Sequence, residues 1–189
     1  MMKAVVIFES MYGNTRAIAE AVAEGIRADG DVQVNVLPVS DASTELTGDA
    51  DLLVVGGPTH MHGMSRPSTR HAAHEAAAKP DSGLVLDPAA DGAGVRDWLA
   101  HVEHRGGLGA AFDTRLDAPP MFTGSAAAGI DRKLRRSGVT AITRPESFLV
   151  TKKTELLAGE TARAREWGAE LSKLAAATTS GRAADTLRM

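Results

Sequence analysis

The residues able to do chemistry gather in short segments that follow apolar runs. In Ser10-Met11-Tyr12-Gly13-Asn14-Thr15, hydroxyls, an amide and a flexible glycine stand directly ahead of a helical pattern. Such side chains, with the free N–H groups of a helix N-terminus, make an anion site built from neutral donors. After another apolar run comes GGPTHMHGMSRP, in which Gly56 and Gly57 allow close backbone approach and Pro58 fixes the exit of the chain. A further run leads into FDTRLDAPPMF, which carries Phe112, Asp113, Thr114 and Arg115.

Several other chemistries lose their ground. The chain has no cysteine, so disulfides, thiolate catalysis and cysteine-ligated metal centres are absent, and a redox role needs a borrowed cofactor. G-x-x-x-x-G-K-[ST] is missing, so no lysine is set to reach a nucleoside triphosphate, and G-x-G-x-x-G is missing after the first run. A magnesium site of the response-regulator receiver kind needs acidic residues after the first and third strands, whereas Glu9 stands alone and the third run ends in Gly56-Gly57. His60-x-His62, His71-x-x-His74 and His101-x-x-His104 lack a cysteine or an obvious third ligand, so no metal is expected and the helical pairs read as solvated faces. Met11, Met61, Met64 and Met121 read as gap filling before a soft contact surface.

A scaffold must bring the ends of these apolar runs together. Lys3–Phe8, Val32–Leu37, Asp51–Val55, Leu108–Phe112 and the region Val139–Val150 alternate with amphipathic stretches, which implies βαβ units and a parallel sheet. AVVIF and LLVV are apolar on both faces, as central parallel strands must be. Val32, Val34 and Val36 alternate with Gln33 and Asn35, and the last region carries Pro145, which donates no ladder hydrogen bond; both belong at edges. The fold class expected is α/β: a doubly wound, five-stranded parallel sheet in the order 2-1-3-4-5 with helices on both faces. Its ligand site then lies beyond the carboxyl ends of strands 1 and 3, where the chain reverses direction. Ile18, Val22 and Ile26 mark the sheet-facing stripe of the first helix, and Ala164, Trp167, Leu171 and Leu174 that of a last helix over about Ala158–Ala177.

The chain has 189 residues and 43% hydrophobic content, and a single domain over 1–177 is expected, with 178–189 a polar, disordered tail. Pro80 to Gly94, rich in Pro, Gly and Asp, reads as an insertion between a helix near Ser68–Lys79 and the stretch VRDWLAHVEH. The formal charge of -3 gives no footprint for nucleic acid, and Arg132-Lys133-Leu134-Arg135-Arg136 reads as one solvated helix face. No run approaches a membrane span and the start has no signal-peptide pattern, so the cytoplasm is the expected compartment.

In its first loop the chain resembles the flavodoxin family. Val6, Ile7, Phe8, Ser10, Gly13, Thr15, Ala19 and Val22 fill every place of the family's pattern there: an aliphatic pair, an aromatic, a hydroxyl, a small residue, a threonine, an alanine and an aliphatic. GETARAREWG in the last helix is similar too, and the likeness lapses over Pro80–Gly94. The resemblance implies the flavodoxin-like fold and FMN as cofactor, its phosphate held by Ser10, Tyr12, Gly13, Asn14 and Thr15, with Met11 contributing backbone. It implies that Pro58, Thr59, His60, Met61, His62 and Gly63 line the isoalloxazine ring and that Phe112, Asp113, Thr114 and Arg115 form a third loop, with Pro119, Pro120 and Phe122 as further walls. The family usually stacks a Trp or Tyr on the ring; neither ring loop has one, which leaves His60, Met61 or Phe122. Arg115 either favours the anionic reduced flavin or forms a surface ion pair. The function implied is electron transfer between redox partner proteins. Weak net acidity and the missing aromatic keep open an FMN-dependent NAD(P)H reductase of quinones or other small electron acceptors, and a flavin-free binding or regulatory module is a further alternative.

Overall fold

The computed structural model describes residues 1–28, 30–101 and 106–186. Met2–Phe8 forms β1, Val32–Pro38 β2 and Leu52–His60 β3, with β1 at the centre of the three. Gly63–Met64 (β4) folds back on the end of β3 as a short antiparallel hairpin. Leu108–Leu116 (β5) pairs in parallel with β3, placing Val54 beside Ala110 and Pro58 beside Thr114. The fifth place is shared by Thr140–Ala141 (β6) and Glu146–Val150 (β7), which pair in parallel with the two ends of β5. The order 2-1-3-4-5 therefore stands, with its last strand broken ahead of Glu146, where Pro145 offers no N–H to the ladder.

Alternation of side chains across the sheet divides the core into two layers. On one face Ala4, Val6, Phe8, Val54 and Phe112 pack under α1 (Asn14–Arg27) and α7 (Glu160–Thr186). On the other, Val5, Ile7, Val55 and Ala111 pack under α4 (Val95–His101) and α6 (Ala126–Arg136). Among the described residues three shorter or peripheral α-helices and a 3-10 turn (Val39–Asp41) remain: α2 (Thr44–Gly48), α3 (Pro67–Ala77) and α5 (Pro120–Thr123). The α1 stripe holds, with Ile18, Val22 and Ile26 fully buried, and the α7 stripe holds at Ala164, Trp167 and Leu171, whereas Leu174 is half-buried and Ala175 takes the buried place beside it.

The two helices approach closely because each presents a glycine to the other. A Cβ on Gly25 would stand 1.9 Å from the Arg165 carbonyl oxygen, and one on Gly168 would stand 2.1 Å from that of Val22. Trp167 then reaches the sheet, where it meets Phe112 and Phe148 edge to face with ring centroids 6.0 to 6.2 Å apart, the arrangement aromatic quadrupoles prefer. α7 continues to Thr186, past the residue at which the apolar stripe ends. The last residues of the expected tail, 187–189, lie outside the described residues, as does the end of VRDWLAHVEH after His101.

Candidate functional site

A cleft of about 600 Å³ opens beyond the carboxyl ends of β1, β3, β5 and β7, where the switch-point rule puts a ligand. The first loop contributes Met11, Tyr12, Asn14 and Thr15 to its wall, the second Pro58, Thr59, His60 and Met61, and the third Thr114 and Arg115. Ser10, Gly13, His62, Gly63, Phe112 and Asp113 do not line it.

The first loop turns through Gly13, whose φ of +86° is open to glycine without strain, and it delivers the chain into α1. Ser10 is 1% exposed and faces inward, its Oγ accepting from the Gly13 N–H at 3.1 Å. Thr15 shares a 2.7 Å hydrogen bond with the Thr114 hydroxyl, tying the first loop to the third. Asn14 Nδ2 donates to the Thr154 carbonyl at 2.7 Å, and Tyr12 donates to the Ala73 carbonyl at 2.9 Å. The loop thus reaches both a turn after β7 and the flank of α3.

In the second loop the glycines serve the core as well as the mouth. A Cβ on Gly56 would fall within 2.3 Å of the Phe112 ring, so Gly56 makes room for an aromatic side chain. Met61 and His62 form the two-residue tip between β3 and β4, both with positive φ (45° and 73°), as a primed hairpin turn requires. That tip throws His62 out to solvent, while His60 stays on the cleft wall. Burial, reinforced by the nearby Arg70 charge, lowers the His60 pKa and keeps its ring neutral.

The third loop corrects two expectations. Phe112 is fully buried in the aromatic cluster, on the face of β5 that looks under α7. Asp113 is also fully buried: its Oδ2 accepts from Thr59 Oγ1 (3.0 Å), Ser125 Oγ (2.8 Å) and the Ala127 N–H (2.8 Å), so it anchors the start of α6. Thr114, next in the alternation, faces the cleft. Arg115 makes no ion pair among the described residues. Its guanidinium donates to the Ala118 carbonyl at 2.7 Å, and its buried Nε has no partner among the described residues. Pro119, Pro120 and Phe122 do not line the cleft, and Phe122 is 68% exposed, so of the residues expected to stack on a ring only His60 and Met61 lie on its wall.

Sequence reasoning missed two stretches of wall. Ser68, Thr69, Ala72, Ala73 and Ala76 of α3 form one side, and their helical spacing was the available signal. Val150, Thr151, Lys152 and Thr154 follow the end of β7, which the rule of strand carboxyl ends already points to. No carboxylate lines the cleft among the described residues, whereas Arg115 and Lys152 both do.

Two further buried acids stand behind the wall. Glu9 is 6% exposed, accepts from the Val95 N–H at 2.8 Å and from the Ser65 hydroxyl, and so holds the start of α4; Arg70 reaches Ser65 and Asp97 in the same network. Burial pushes the Glu9 pKa up, against the hydrogen bonds of Ser65 and Val95 and the charge of Arg70. Asp87, from the 80–94 segment, is 5% exposed and receives Arg16 at 2.6 and 2.9 Å. Its burial alone would raise its pKa, but the hydrogen bonds from Arg16, the Ala89 N–H and Ser10, with the Arg16 charge, outweigh that and lower it. The histidines of the helical pairs sit at the surface beside acids or carbonyls, His71 by Glu75, His74 by Asp91 and His101 on the Asp97 carbonyl; His104 lies outside the described residues. Among the described residues no group of three or more His, Asp or Glu could hold a metal ion, and no helix is long and apolar enough to cross a membrane.

Comparison with known proteins agrees with this architecture. Residues 6–84 match the family model for flavodoxin, a stretch that begins in β1 and ends inside the 80–94 segment. A flavodoxin of Aquifex aeolicus (strain VF5) is 43% identical over 61 residues, which amount to 32% of this chain and 33% of that protein. The match thus spans about a third of the curated relative's length. Among solved structures, a flavodoxin from the domain Archaea superposes with a TM-score of 0.63 at 21% identity, covering 92% of this chain and 99% of that one. Oxidised flavodoxin 1 from Bacillus cereus gives 0.61 at 20% identity, covering 90% and 97%. Rubredoxin oxygen:oxidoreductase from Desulfovibrio gigas gives 0.61 at 16% identity, covering 93% of this chain and 36% of that larger one. Flavodoxin family proteins bind FMN. The chain is thus similar to flavodoxins in sequence over residues 6–84 and has the flavodoxin-like doubly wound fold.

Proposed function

We propose that this protein binds FMN in the cleft and passes electrons between redox partners in the cytoplasm. The observation that carries the reading is the wall itself. A cleft of about 600 Å³, within the range of cofactor pockets, is lined by Thr15, Asn14, Tyr12 and Thr114 near the start of α1 and by Arg115 and Lys152, with no carboxylate among its described lining. Such a donor set suits a phosphate ester joined to a polar, electron-accepting ring.

The bound flavin would supply the one- and two-electron chemistry. The chain's residues would do the rest. The N–H groups at the start of α1, with Thr15 and Asn14, hold the anion; Thr59, fixed by Asp113 and by the Ala126 N–H at 2.8 Å, keeps the second loop in place. Neutral His60 and the Met61 thioether face the ring without adding charge. Arg115 brings its positive charge to the cleft wall at the end of β5.

A second reading, an NAD(P)H-dependent reductase of quinones or other small acceptors, draws on the extension of the cleft along the alanine face of α3, beyond the three loops. One experiment addresses both. The purified protein is titrated with FMN and with riboflavin, and the loaded protein is then mixed with NAD(P)H, with and without a quinone. The carrier reading expects FMN bound at least tenfold more tightly than riboflavin, because only FMN carries the anion, and slow oxidation of NAD(P)H without a reductase. Equal affinities refute the phosphate site; rapid steady-state turnover with a quinone selects the reductase.

A further inference from the structure

The 80–94 segment carries the end of the family match at residue 84 and forms neither helix nor strand up to α4. It is nevertheless held against the first loop at several points. The Asp87 N–H donates to the Met11 carbonyl at 2.8 Å. The Asp87 carboxylate receives both Nε and a terminal nitrogen of Arg16, at 2.9 and 2.6 Å, a two-pronged geometry that fixes orientation as well as distance. The same carboxylate accepts the Ala89 N–H at 2.8 Å, which shapes its own turn. Arg16 is clamped on its other side, its guanidinium lying 4.8 Å from the centre of the Phe8 ring. Ala90 completes a small cluster with Met11 and Ala73, and Leu86 and Tyr12 pack on it.

These contacts meet the loop where it is least able to hold itself. Gly13 is its pivot and contributes no side-chain cap to α1, so the aim of the first N–H groups depends on what grips the residues on either side. Tyr12 and Asn14 are tied to the Ala73 and Thr154 carbonyls, and the next anchors outward, Met11 and Arg16, are both gripped by Asp87. We infer that the 80–94 segment is a brace for the anion loop and that Asp87 is its positioning residue, acting on bound FMN through Met11 and Arg16 without touching it. The inference rests on the FMN reading for its ligand but not for its mechanics.

Its sign sets it apart from a simple charge effect. A carboxylate near an anion site repels the anion, so its removal would tighten FMN if charge alone mattered. A brace predicts the reverse, because a loosened loop must be ordered again on binding. Asp87→Ala in the full chain should raise the FMN dissociation constant about tenfold, the worth of one hydrogen bond to a charged acceptor, and leave riboflavin unchanged; Asp87→Asn, which keeps the shape, should fall between that variant and the wild type. Tighter FMN in both variants, or an unchanged FMN-to-riboflavin ratio in folded protein, overturns the inference. Amide hydrogen exchange of the flavin-free protein supplies the second readout. Residues 11–16 should exchange at least about tenfold faster in Asp87→Ala while the strands of the sheet keep their protection, and unchanged exchange there overturns the brace. Should the wild type fail to prefer FMN over riboflavin, the FMN reading falls and the exchange result alone decides the brace. If Asp87→Ala does not fold, both measurements are made on Asp87→Asn.

Discussion

The hydrogen bond between Thr15 and Thr114 joins the first loop to the third across the mouth of the cleft, and it yields a prediction whose size follows from burial. The hydroxyls are 2.7 Å apart on side chains of residues 2% and 5% exposed. One hydroxyl hydrogen makes the bond, and the other remains free to serve a ligand. Thr15→Val is nearly isosteric, so it opens no cavity; its cost is the Thr114 hydroxyl left buried without its partner, about 1 to 3 kcal/mol of folding stability. Thr114→Val should cost a similar amount for the mirror-image reason. The double variant leaves neither hydroxyl stranded and should lie close to the wild type. Urea denaturation of all four proteins closes the cycle, with an expected coupling equal to the sum of the two single costs, about 2 to 6 kcal/mol in magnitude. Effects that add to within about 0.5 kcal/mol would mean that each hydroxyl finds solvent independently, and the bond would contribute nothing. FMN titration of the same set gives the functional half. Thr15→Val should weaken FMN by roughly 1 to 3 kcal/mol, the scale of a hydrogen bond to an anionic acceptor, and an unchanged dissociation constant would move the phosphate elsewhere.

Arg115→Gln should lower the potential of the more negative one-electron couple of bound FMN by several tens of millivolts, where 59 mV corresponds to about 1.4 kcal/mol; an unshifted potential in spectroelectrochemistry with FMN bound would leave Arg115 as a brace for the Leu116–Ala118 turn only. Gly168→Ala should destabilise the fold by about 1 to 3 kcal/mol through overpacking, despite the gain of about 1 kcal/mol in helix propensity, because the new methyl meets the Val22 carbonyl of α1; a raised thermal midpoint would show that α7 shifts freely. Glu9 has a folded pKa raised above 4.5 by burial, so its contribution to stability is fully present below the unfolded value and is lost as pH rises through the folded one. Relative to Glu9→Gln, the wild type should therefore lose stability on going from about pH 4.5 toward neutrality, and parallel stability curves for the two proteins would show that Glu9 titrates as an exposed acid.

Much of this protein was legible as pattern. Runs apolar on both faces had to be central strands, the alternation of Val32, Val34 and Val36 had to be an edge, and the i, i+4 recurrence of Ile18, Val22 and Ile26 had to face a sheet. Those choices lead to the strand order and the switch point, and the residue types of Ser10 to Thr15 name the kind of ligand that fits there. What sequence could not show is the direction in which neighbouring residues point at a strand's end. Phe112 and Asp113 stand beside Thr114 in the chain, yet one enters the aromatic cluster, the next caps α6 and only then does the alternation reach the cleft. Nor could it show contacts between residues far apart in the chain. Gly56 makes room for a ring on another strand, Asn14 reaches Thr154, and Asp87 crosses to Met11 and Arg16 from a segment whose composition announced only a loop. Periodicity and turn chemistry are local and survive in one dimension; the wall of a cleft is made where distant strand ends meet, and only the packed sheet decides which atoms those are.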